Sequence, residues 1–388
     1  MSLCAENPLK IALLADFPLW KVSDKFVDTH QHYAVWLEAL YEALKLENAL
    51  DVHWIIVSKN VSQRETFQSA NQTFHVVPRT KKTIGLYTGY LYERIRVKKV
   101  LKEIAPDLVH AWGTEDVYAL CGKSFKGAKL LSVQGALNAY CERGPMPTFV
   151  KRQAFWERIV MRAYHYFSAE SPWCRDRIRE QNSEAQVTLV EYGVESRFFD
   201  VKRQLSDQPT CLYAGTVTEL KGISELVQAF SSPELAGITL RIAGGGCGEF
   251  YEEMKRLSTP NIIWLGRIDR EGMMHELASA WCLVHPSYAD TGPTIVKEAR
   301  IVGLPVILTE DCGSKQHVTD AKSGFIVPVH DARSIVTAVL KVVESKEKSI
   351  SMGEFEQGRC REALAPHLTA NKFTSLYREI LSTYNAIL

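Results

Sequence analysis

Two carboxylates stand near each other late in the sequence, where a predicted loop leads into a predicted helix. The segment from His285 to Ile307 reads HPSYADTGPTIVKEARIVGLPVI, with Asp290 in a Gly-Pro loop and Glu298 in the apolar helical pattern that follows. Pro293 stands where a first helical residue is favoured, because its missing N–H would be unpaired there anyway. The free N–H groups of the first turn would form an anion site at the positive end of the helix dipole. This spacing predicts a phosphate site beside the two acids.

Glu298 has two interpretations. It follows Thr294 by one turn on the same side of the helix, whereas Ile295, Ala299 and Val302 form the predicted packing stripe. A carboxylate there could accept hydrogen bonds from vicinal hydroxyls, such as those of a ribose. It could also be a first-turn acid that complements the helix dipole, and the helix taken alone favours this second role.

A second loop supplies a cation that changes this balance. The segment AGTVTELKGISELVQAF, from Ala214 to Phe230, again reads as strand, loop and helix, with Lys221 and Gly222 at the helix entrance. A lysine there offers a point charge to a diphosphate, and the glycine lets the backbone come close. Without the neighbouring motifs, Lys221 could equally be a solvated surface lysine.

Size and composition indicate an ordinary globular protein with two domains. The chain has 388 residues, of which 46% are hydrophobic and 23% charged. A net charge of +1 argues against nucleic acid as the main partner. Nine scattered cysteines without metal-site spacing indicate a reducing compartment. The start, MSLCAENPL, does not read as a signal peptide, and no run is long enough to span a bilayer, so we expect a cytoplasmic protein that at most rests on a membrane.

Short apolar runs alternate with helical patterns along both halves. The strand candidates are LKIALLAD, VHWIIV, FHVV, DLVHAW, KLLSV, YHYFSA and VTLVEY in the first half, and TCLYAG, ITLRIAG, NIIWLG, CLVHPS, LPVILT and GFIVP in the second. Helices are predicted around 30–46, 224–230, 249–257, 272–280 and 293–302. The alternation predicts two doubly wound α/β halves joined near 195–208, with ligands bound beyond the carboxyl ends of parallel strands.

The order of these motifs resembles one enzyme family. The run from Tyr213 to Pro328 contains YAGTVTELKG, LRIAGGG, NIIWLGRID, the segment from His285 to Ile307, and SGFIVP. In this order and spacing it resembles the C-terminal domain of the family 4 glycosyltransferases, which have the GT-B fold. The first half matches more loosely, through PDLVHAWG, FSAES and VEYGVESRFF.

The resemblance implies two Rossmann-like domains that face a central cleft. The implied boundaries are 1–195 for an acceptor-binding N-terminal domain and 196–370 for a nucleotide-sugar-binding C-terminal domain. A C-terminal helix, 371–388, would pack back on the first domain.

By the same resemblance, the two acids correspond to the family's pair of glutamates separated by seven residues. Asp290 would contact the donor sugar near the reacting carbon, Glu298 would bind the ribose hydroxyls, and Lys221 would bind the diphosphate. The other implied donor-site residues are Gly215 and Thr216 for diphosphate and sugar, the backbone of Gly292, Pro293, Thr294 and Ile295 for sugar and phosphate oxygens, and Leu265, Gly266, Arg267 and Ile268 at the border of the base.

The implied reaction moves a sugar from a nucleotide donor, of UDP or GDP type, to an acceptor hydroxyl with retention of anomeric configuration. The acceptor would be a glycan, a lipid-linked saccharide or a similar molecule of cell-surface polysaccharide or glycolipid synthesis. Preorganised N–H groups and a lysine would stabilise charge on the departing diphosphate, so no metal, other cofactor or strong general acid is expected. A glycosidase differs, because its paired carboxylates must protonate a poor leaving group.

Three departures from the family pattern bear on activity. Thr216 stands where many relatives have an arginine, Asp290 is one methylene shorter than the usual glutamate, and DTHQH from Asp28 to His32 replaces a glycine pair near the donor phosphate. They leave open a catalytically silent GT-B protein that serves as a binding subunit in glycan assembly. A nicotinamide-dependent oxidoreductase is disfavoured, because IAGGGCGEFYEE lacks the last glycine of the dinucleotide fingerprint.

The first half holds one candidate for the reaction centre. His110 ends a predicted strand, near the position at which relatives carry a histidine that contacts the donor or the reaction centre. A neutral imidazole there could also orient the acceptor hydroxyl. A packed histidine at a strand end is the equal alternative, and His30 and His32 are weaker candidates.

A basic, tyrosine-containing tract runs from Arg79 to Lys102 in the same half. It predicts a surface that contacts a lipid-linked acceptor or an anionic membrane, and a solvated helix face is the favoured alternative. The residues predicted for this surface are Arg94, Arg96, Lys98 and Lys99.

Overall fold

The computed structural model of this chain describes residues 8–26 and 34–387. The chain forms two compact units, the first ending at Gly193 and resuming at Pro366, the second running from Val194 to Ala365. The sequence placed these divisions at 195–196 and 370–371. The DTHQH segment, with His30 and His32, lies outside the described residues. Among the described helices, none combines the length and the apolar character needed to cross a bilayer.

The first unit is built on an eight-stranded sheet. Its strands are β1 (Leu9–Leu14), β2 (Leu50–Ser58), β3 (Glu65–Ser69), β4 (Gln72–Pro78), β5 (Leu108–Trp112), β6 (Ala128–Val133), β7 (Tyr166–Ala169) and β8 (Gln186–Leu189). Its first seven helices are α1 (Val35–Leu44), α2 (Lys82–Thr88), α3 (Leu91–Ile104), α4 (Tyr118–Lys123), α5 (Leu137–Arg143), α6 (Thr148–Met161) and α7 (Pro172–Gln181). The strand order is β3-β4-β2-β1-β5-β6-β7-β8, and only β3 pairs antiparallel with its neighbour.

The second unit is built on a six-stranded, fully parallel sheet. Its strands are β9 (Thr210–Ala214), β10 (Thr239–Ala243), β11 (Ile262–Gly266), β12 (Cys282–His285), β13 (Val306–Thr309) and β14 (Gly324–Val327). Its helices are α8 (Ile223–Phe230), α9 (Glu249–Leu257), α10 (Arg270–Ser279), α11 (Thr294–Val302), α12 (Ala332–Val342), α13 (Lys346–Glu354) and α14 (Gln357–Ala363). The strand order is β11-β10-β9-β12-β13-β14, so its direction changes between β9 and β12.

Apolar side chains bury both faces of these sheets, as parallel sheets require. In the second unit, one core contains Tyr213 and Ile242, and another contains Leu212 and Leu283 from the opposite sheet face. The strands could be predicted from the sequence because they are short apolar runs separated by segments with helical periodicity. The predicted α/β class with two doubly wound, mostly parallel sheets is confirmed.

The chain returns to the first unit through α15 (Pro366–Ile387). This helix packs against α1, and Phe373, Tyr377 and Ile380 are buried in the first unit's core. It begins at Pro366, five residues before the predicted start at 371 and directly after the second unit ends at Ala365. A proline is well tolerated in a first helical turn, where its missing N–H costs no bond.

Candidate active site

Two loops meet beyond the carboxyl ends of β9 and β12, where the strand order of the second sheet changes direction. The backbone N–H of Tyr288 donates to the carbonyl oxygen of Leu220 at 2.8 Å, and Ser287 Oγ donates to the same oxygen at 3.2 Å. These bonds join the lysine loop to the acid loop. Open α/β sheets bind their ligands at such a point.

Gly222 allows this close approach of the two loops. Its φ is +67°, and a Cβ at this position would lie 2.0 Å from the carbonyl oxygen of Pro286. Only glycine avoids both the backbone strain and the clash. Because Gly222 directly follows Lys221 and precedes α8, this contact fixes where the lysine stands.

Asp290 is the centre of the charged cluster that results. The residue is 7% exposed, and its carboxylate forms an ion pair through Oδ2 with the ammonium group of Lys221. The same oxygen accepts a hydrogen bond from Nε2 of His285 at 3.3 Å. The backbone of Asp290 is fixed as well, because its carbonyl accepts from the N–H of Gly313 at 2.7 Å.

Neighbouring groups keep Asp290 ionised, and burial keeps His285 neutral. Burial alone raises the pKa of the Asp290 carboxyl, but the charge of Lys221 and the hydrogen bond from His285 outweigh it, so the pKa lies well below its usual range. Burial lowers the pKa of His285, although Asp290 acts in the opposite direction. At neutral pH the cluster therefore contains one carboxylate, one ammonium and one neutral imidazole.

The loop from Asp290 leads directly into the start of α11. The helix begins at Thr294, one residue later than predicted, and Pro293 precedes it with φ −60° and ψ 121°. The first intrahelical bond runs from the N–H of Val296 to the carbonyl of Pro293 at 3.1 Å, so the geometry gives Thr294 and Ile295 no intrahelical partner for their N–H groups. Gly292 to Ile295 are partly exposed. This helix start can therefore receive an anion next to Asp290.

The rest of α11 is buried on every side, and this corrects the predicted packing stripe. All residues from Val296 to Val302 are buried, including Arg300 at 0% exposure. The Arg300 guanidinium donates to backbone carbonyls of His317, Leu304 and Gly353 at 3.0 to 3.2 Å. These bonds explain how a cation can occupy a core position.

Glu298 is buried and held by an arginine that the sequence did not single out. Its Oε1 accepts from Nη2 of Arg270 at 2.8 Å, and Nε of Arg270 also binds Glu195 Oε2 at 3.1 Å. The guanidinium lies 4.4 Å from the ring centre of Phe198. Glu298 is therefore fixed in place by an ion pair, rather than being a solvated acid that only complements the helix dipole.

The predicted base-bordering segment lies at the end of β11, close to the ends of β10 and β9. The N–H of Gly244 donates to the carbonyl of Gly266 at 2.7 Å, and a Cβ on Gly244 would lie 1.8 Å from the carbonyl oxygen of Gly215. Leu265 and Ile268 pack against the buried core. Arg267 is exposed, and its side chain lies across the backbone of Gly245.

Thr216 is exposed at the start of the lysine loop. Its carbonyl accepts from the hydroxyl of Tyr213 at 2.8 Å, which ties the loop to the sheet. The structure therefore brings Gly215, Thr216, Lys221, Asp290 and the start of α11 to one edge of the second sheet.

His110 is in the interior of the first unit. It is 0% exposed, and its two ring nitrogens form hydrogen bonds with Tyr377 Oη at 2.7 Å and Ser132 Oγ at 2.6 Å. Its ring also packs against Trp112 and Phe373. Burial holds its pKa well below the usual value. Of the two interpretations of His110, the structure therefore agrees with a packed histidine, because both ring nitrogens already form hydrogen bonds within the unit.

Two of the four residues predicted for the basic surface are exposed. Lys98 and Lys99 are exposed, whereas Arg94 and Arg96 are partly buried, and Arg96 Nη1 donates to the carbonyl of Pro78 at 2.8 Å. Arg96 therefore braces α3 against its own unit. The exposed cations of this region are its lysines.

Sequence reasoning missed His285, Arg270 and a cavity in the first unit. His285 begins the quoted acid segment, and Arg270 opens a predicted helix, but nothing local shows which carboxylate each would reach. The cavity, of about 500 Å³, opens at the carboxyl ends of β1, β2 and β4. Its lining includes Asp16, Trp20, Lys59, Arg79, Lys81 and Asp116.

Comparisons with known proteins relate this chain to glycosyltransferases. Residues 195–359 match the model of the family described as Glycosyl transferases group 1. The capsular polysaccharide biosynthesis glycosyltransferase CapM of Staphylococcus aureus is 24% identical over 89% of this chain and 92% of its own length. A D-inositol 3-phosphate glycosyltransferase of a Nocardioides species is 27% identical, but the match covers 39% of this chain and 38% of that protein.

Solved structures agree on the fold. A sucrose-phosphate synthase from Thermosynechococcus elongatus superposes with a TM-score of 0.79 over 97% of this chain and 100% of its own, at 17% identity. Anabaena HepE in complex with UDP and glucose gives 0.69 at 12% identity, covering 96% of this chain and 100% of its own. The GT-B fold predicted from sequence is thus confirmed. The cluster at the β9–β12 switch point lies within residues 195–359, the range that matches the model of Glycosyl transferases group 1.

Proposed function

We propose that this chain is a retaining glycosyltransferase of the family 4 type, which moves a sugar from a UDP or GDP donor to an acceptor hydroxyl. The observation that carries the proposal is the convergence of Lys221, Asp290 and the start of α11 at one switch point. A cation, a carboxylate and unpaired helix N–H groups are the elements that a sugar diphosphate needs.

The Lys221–Asp290 pair does not prevent donor binding. An ammonium group has three N–H donors, so Lys221 can keep Asp290 and still donate to a phosphate oxygen. Both contacts of the Asp290 side chain are made by Oδ2. This leaves Oδ1 as the acceptor for a sugar hydroxyl, while Lys221 and His285 hold the carboxylate in position through Oδ2.

Charge stabilisation of the departing diphosphate supplies the catalysis. As the bond from the anomeric carbon to the diphosphate breaks, negative charge grows on phosphate oxygens near Lys221 and the first N–H groups of α11, which are already in position. Glu298, held by Arg270, would bind the ribose hydroxyls of the same nucleotide. Metal independence is part of the proposal, and EDTA should leave turnover unchanged.

The acceptor side belongs to the first unit in this proposal. The cavity at the ends of β1, β2 and β4 has room for a saccharide and is lined by both aromatic and charged side chains. Relatives named for capsular and teichuronic acid synthesis favour a cell-surface polysaccharide or a lipid-linked saccharide as the acceptor. Action at the cytoplasmic face of a membrane fits such an acceptor.

The experiment is turnover of a panel of UDP- and GDP-sugars, including slow hydrolysis without acceptor, with the anomeric configuration of the first product read by NMR. We expect one donor to react with retention and Asp290→Asn to abolish the reaction. Nucleotide binding without turnover of any donor would favour the alternative, a catalytically silent binding subunit. Inversion of the anomeric centre would overturn the family 4 mechanism.

A further inference from the structure

Exposed apolar side chains are concentrated on three helices of the first unit. Among the residues that the structure describes, fourteen large apolar side chains are exposed, and seven of these lie on α2, α3 and α6, so the concentration is not a chance scatter. They are Ile84, Tyr87, Leu91, Tyr92, Ile95, Phe149 and Phe155, with exposures from 44% to 73%. Because α2 contacts both α3 and α6, we treat these seven residues as one apolar face.

Contacts between α2 and α6 hold aromatic rings and cations together on this face. The guanidinium of Arg152 lies 3.8 Å from the ring centre of Tyr87, and the ammonium of Lys82 lies 5.6 Å from that of Phe149. The indole N–H of Trp156 donates to the carbonyl of Leu86 at 2.8 Å. The apolar face is therefore a built surface with cations bound to its rings.

The exposed charge on the helices of the apolar face is predominantly positive. Six exposed lysines belong to the same helices or their starts: Lys81, Lys82, Lys98, Lys99, Lys102 and Lys151. Within 79–102 and 144–156, both fully described, the one acid is Glu93, which is 1% exposed and accepts a hydrogen bond from the Thr80 backbone. The exposed acid of α3 is Glu103, at the end of the helix, and it is ion-paired with Arg64, so it does not offset the lysines.

We propose that the apolar face docks the protein on an anionic lipid bilayer. The aromatic and aliphatic side chains would enter the interface, and the lysines around them would meet anionic headgroups while their alkyl stems lie along the apolar boundary. A soluble protein partner fits less well, since lysine is depleted at protein–protein interfaces. Docking extends the proposed function to a membrane-borne acceptor, but the contact itself requires no catalysis.

The test is flotation of the whole protein with vesicles of equimolar phosphatidylglycerol and phosphatidylcholine, and with pure phosphatidylcholine, at low and high salt. We expect binding to the anionic vesicles, loss of that binding at high salt, and little binding to the neutral ones. Lys82→Gln should weaken binding about fivefold, the effect of one interfacial cation. Tyr87→Ser and Phe155→Ser should also weaken it, and Ile84→Ser serves if either variant unfolds.

Matched controls lie elsewhere on the molecule. Leu257→Ser replaces a side chain that is 52% exposed on α9 of the second unit, and Lys372→Gln removes an exposed cation of α15. Neither should change flotation. Equal flotation of Tyr87→Ser and wild type, or no anionic-vesicle binding at low salt, would overturn the proposal. If the apolar face instead binds a second copy of the protein, light scattering should show self-association, and vesicles should not be bound. Tyr87→Ser should then remove the self-association. None of these readouts needs turnover, so they do not depend on the donor site.

Discussion

Asp290 is the residue on which the chemistry of the second unit depends. Its side chain is one methylene shorter than the glutamate usual in relatives. The sequence left open whether the site merely tolerates the shorter side chain or requires it. In the structure Asp290 is 7% exposed, and its Oδ2 already contacts Lys221 and His285. The short acid therefore fits the space that surrounds it.

We expect Asp290→Glu to lower turnover by at least about tenfold. The additional methylene must enter a packed site, where overpacking costs about 1–3 kcal/mol, and it displaces the carboxylate from both partners. The measurement is kcat and KM for the reactive donor. A glutamate enzyme as fast as wild type would show that the aspartate is only a tolerated departure.

Asp290 also predicts a pH dependence of stability. Its pKa is lower in the folded protein than in the unfolded chain, so its ion pair stabilises the fold above the ordinary aspartate value of about 3.9 and this contribution is lost as the pH falls below it. The difference in unfolding free energy between wild type and Asp290→Asn should thus shrink below about pH 4. A difference that stays constant with pH would contradict the ion pair.

At the scale of elements, the site depends on two loops that touch. Gly222 brings the lysine loop against Pro286, and neither loop alone contains the cluster. The sequence predicted every strand on which these loops stand, because short apolar runs are visible in one dimension. It could not predict that His285 turns to Asp290 or that Arg270 pairs with Glu298, because those contacts depend on side-chain directions across separate elements.

Gly222→Ala should disturb both stability and donor binding. Its positive φ and the 2.0 Å approach to the Pro286 carbonyl must both be relieved, at a cost of about 1–3 kcal/mol, and the relief displaces Lys221. Gly248→Ala is the matched control, since its φ is +82° but no atom lies near its Cβ position. Thermal unfolding and calorimetry with UDP or GDP check this. Equal nucleotide affinity in the two variants would argue against a loop contact that positions the lysine.

Arg270 should govern recognition of the ribose through Glu298. Arg270→Gln removes the guanidinium that fixes the Glu298 carboxylate, so preference for a ribonucleoside diphosphate over its 2′-deoxy form should decline. Arg256→Gln, on the exposed side of α9, is the control. If Arg270→Gln leaves the ratio of the ribonucleotide and 2′-deoxynucleotide affinities unchanged, Glu298 does not bind the ribose.

At the scale of the whole molecule, each unit contains histidines that fold in the neutral form. Burial is the largest cause that lowers the pKa of His75 to about 4 in the first unit and that of His317 to about 3 in the second. The unfolded chain takes up these protons near pH 6.5, so stability is full above that value and declines below it. His110, predicted as catalytic, belongs to this buried group.

Both units should therefore lose stability between about pH 7.5 and about pH 5, by about 2 kcal/mol for each such histidine. Denaturant unfolding at the two pH values measures the loss, and two transitions are expected if the units unfold separately. Stability that is equal at the two values would show that these histidines are protonated in the fold.

The most direct test of the donor site is calorimetric titration of UDP and GDP into wild type, Lys221→Gln and the surface control Lys255→Gln. We predict that wild type and Lys255→Gln bind one of the nucleotides equally well, and that Lys221→Gln binds it roughly 10- to 150-fold more weakly, the value of a charge-assisted hydrogen bond. Affinity that is unchanged in Lys221→Gln, or no binding of any nucleoside diphosphate to wild type, would contradict a donor site at the β9–β12 switch point.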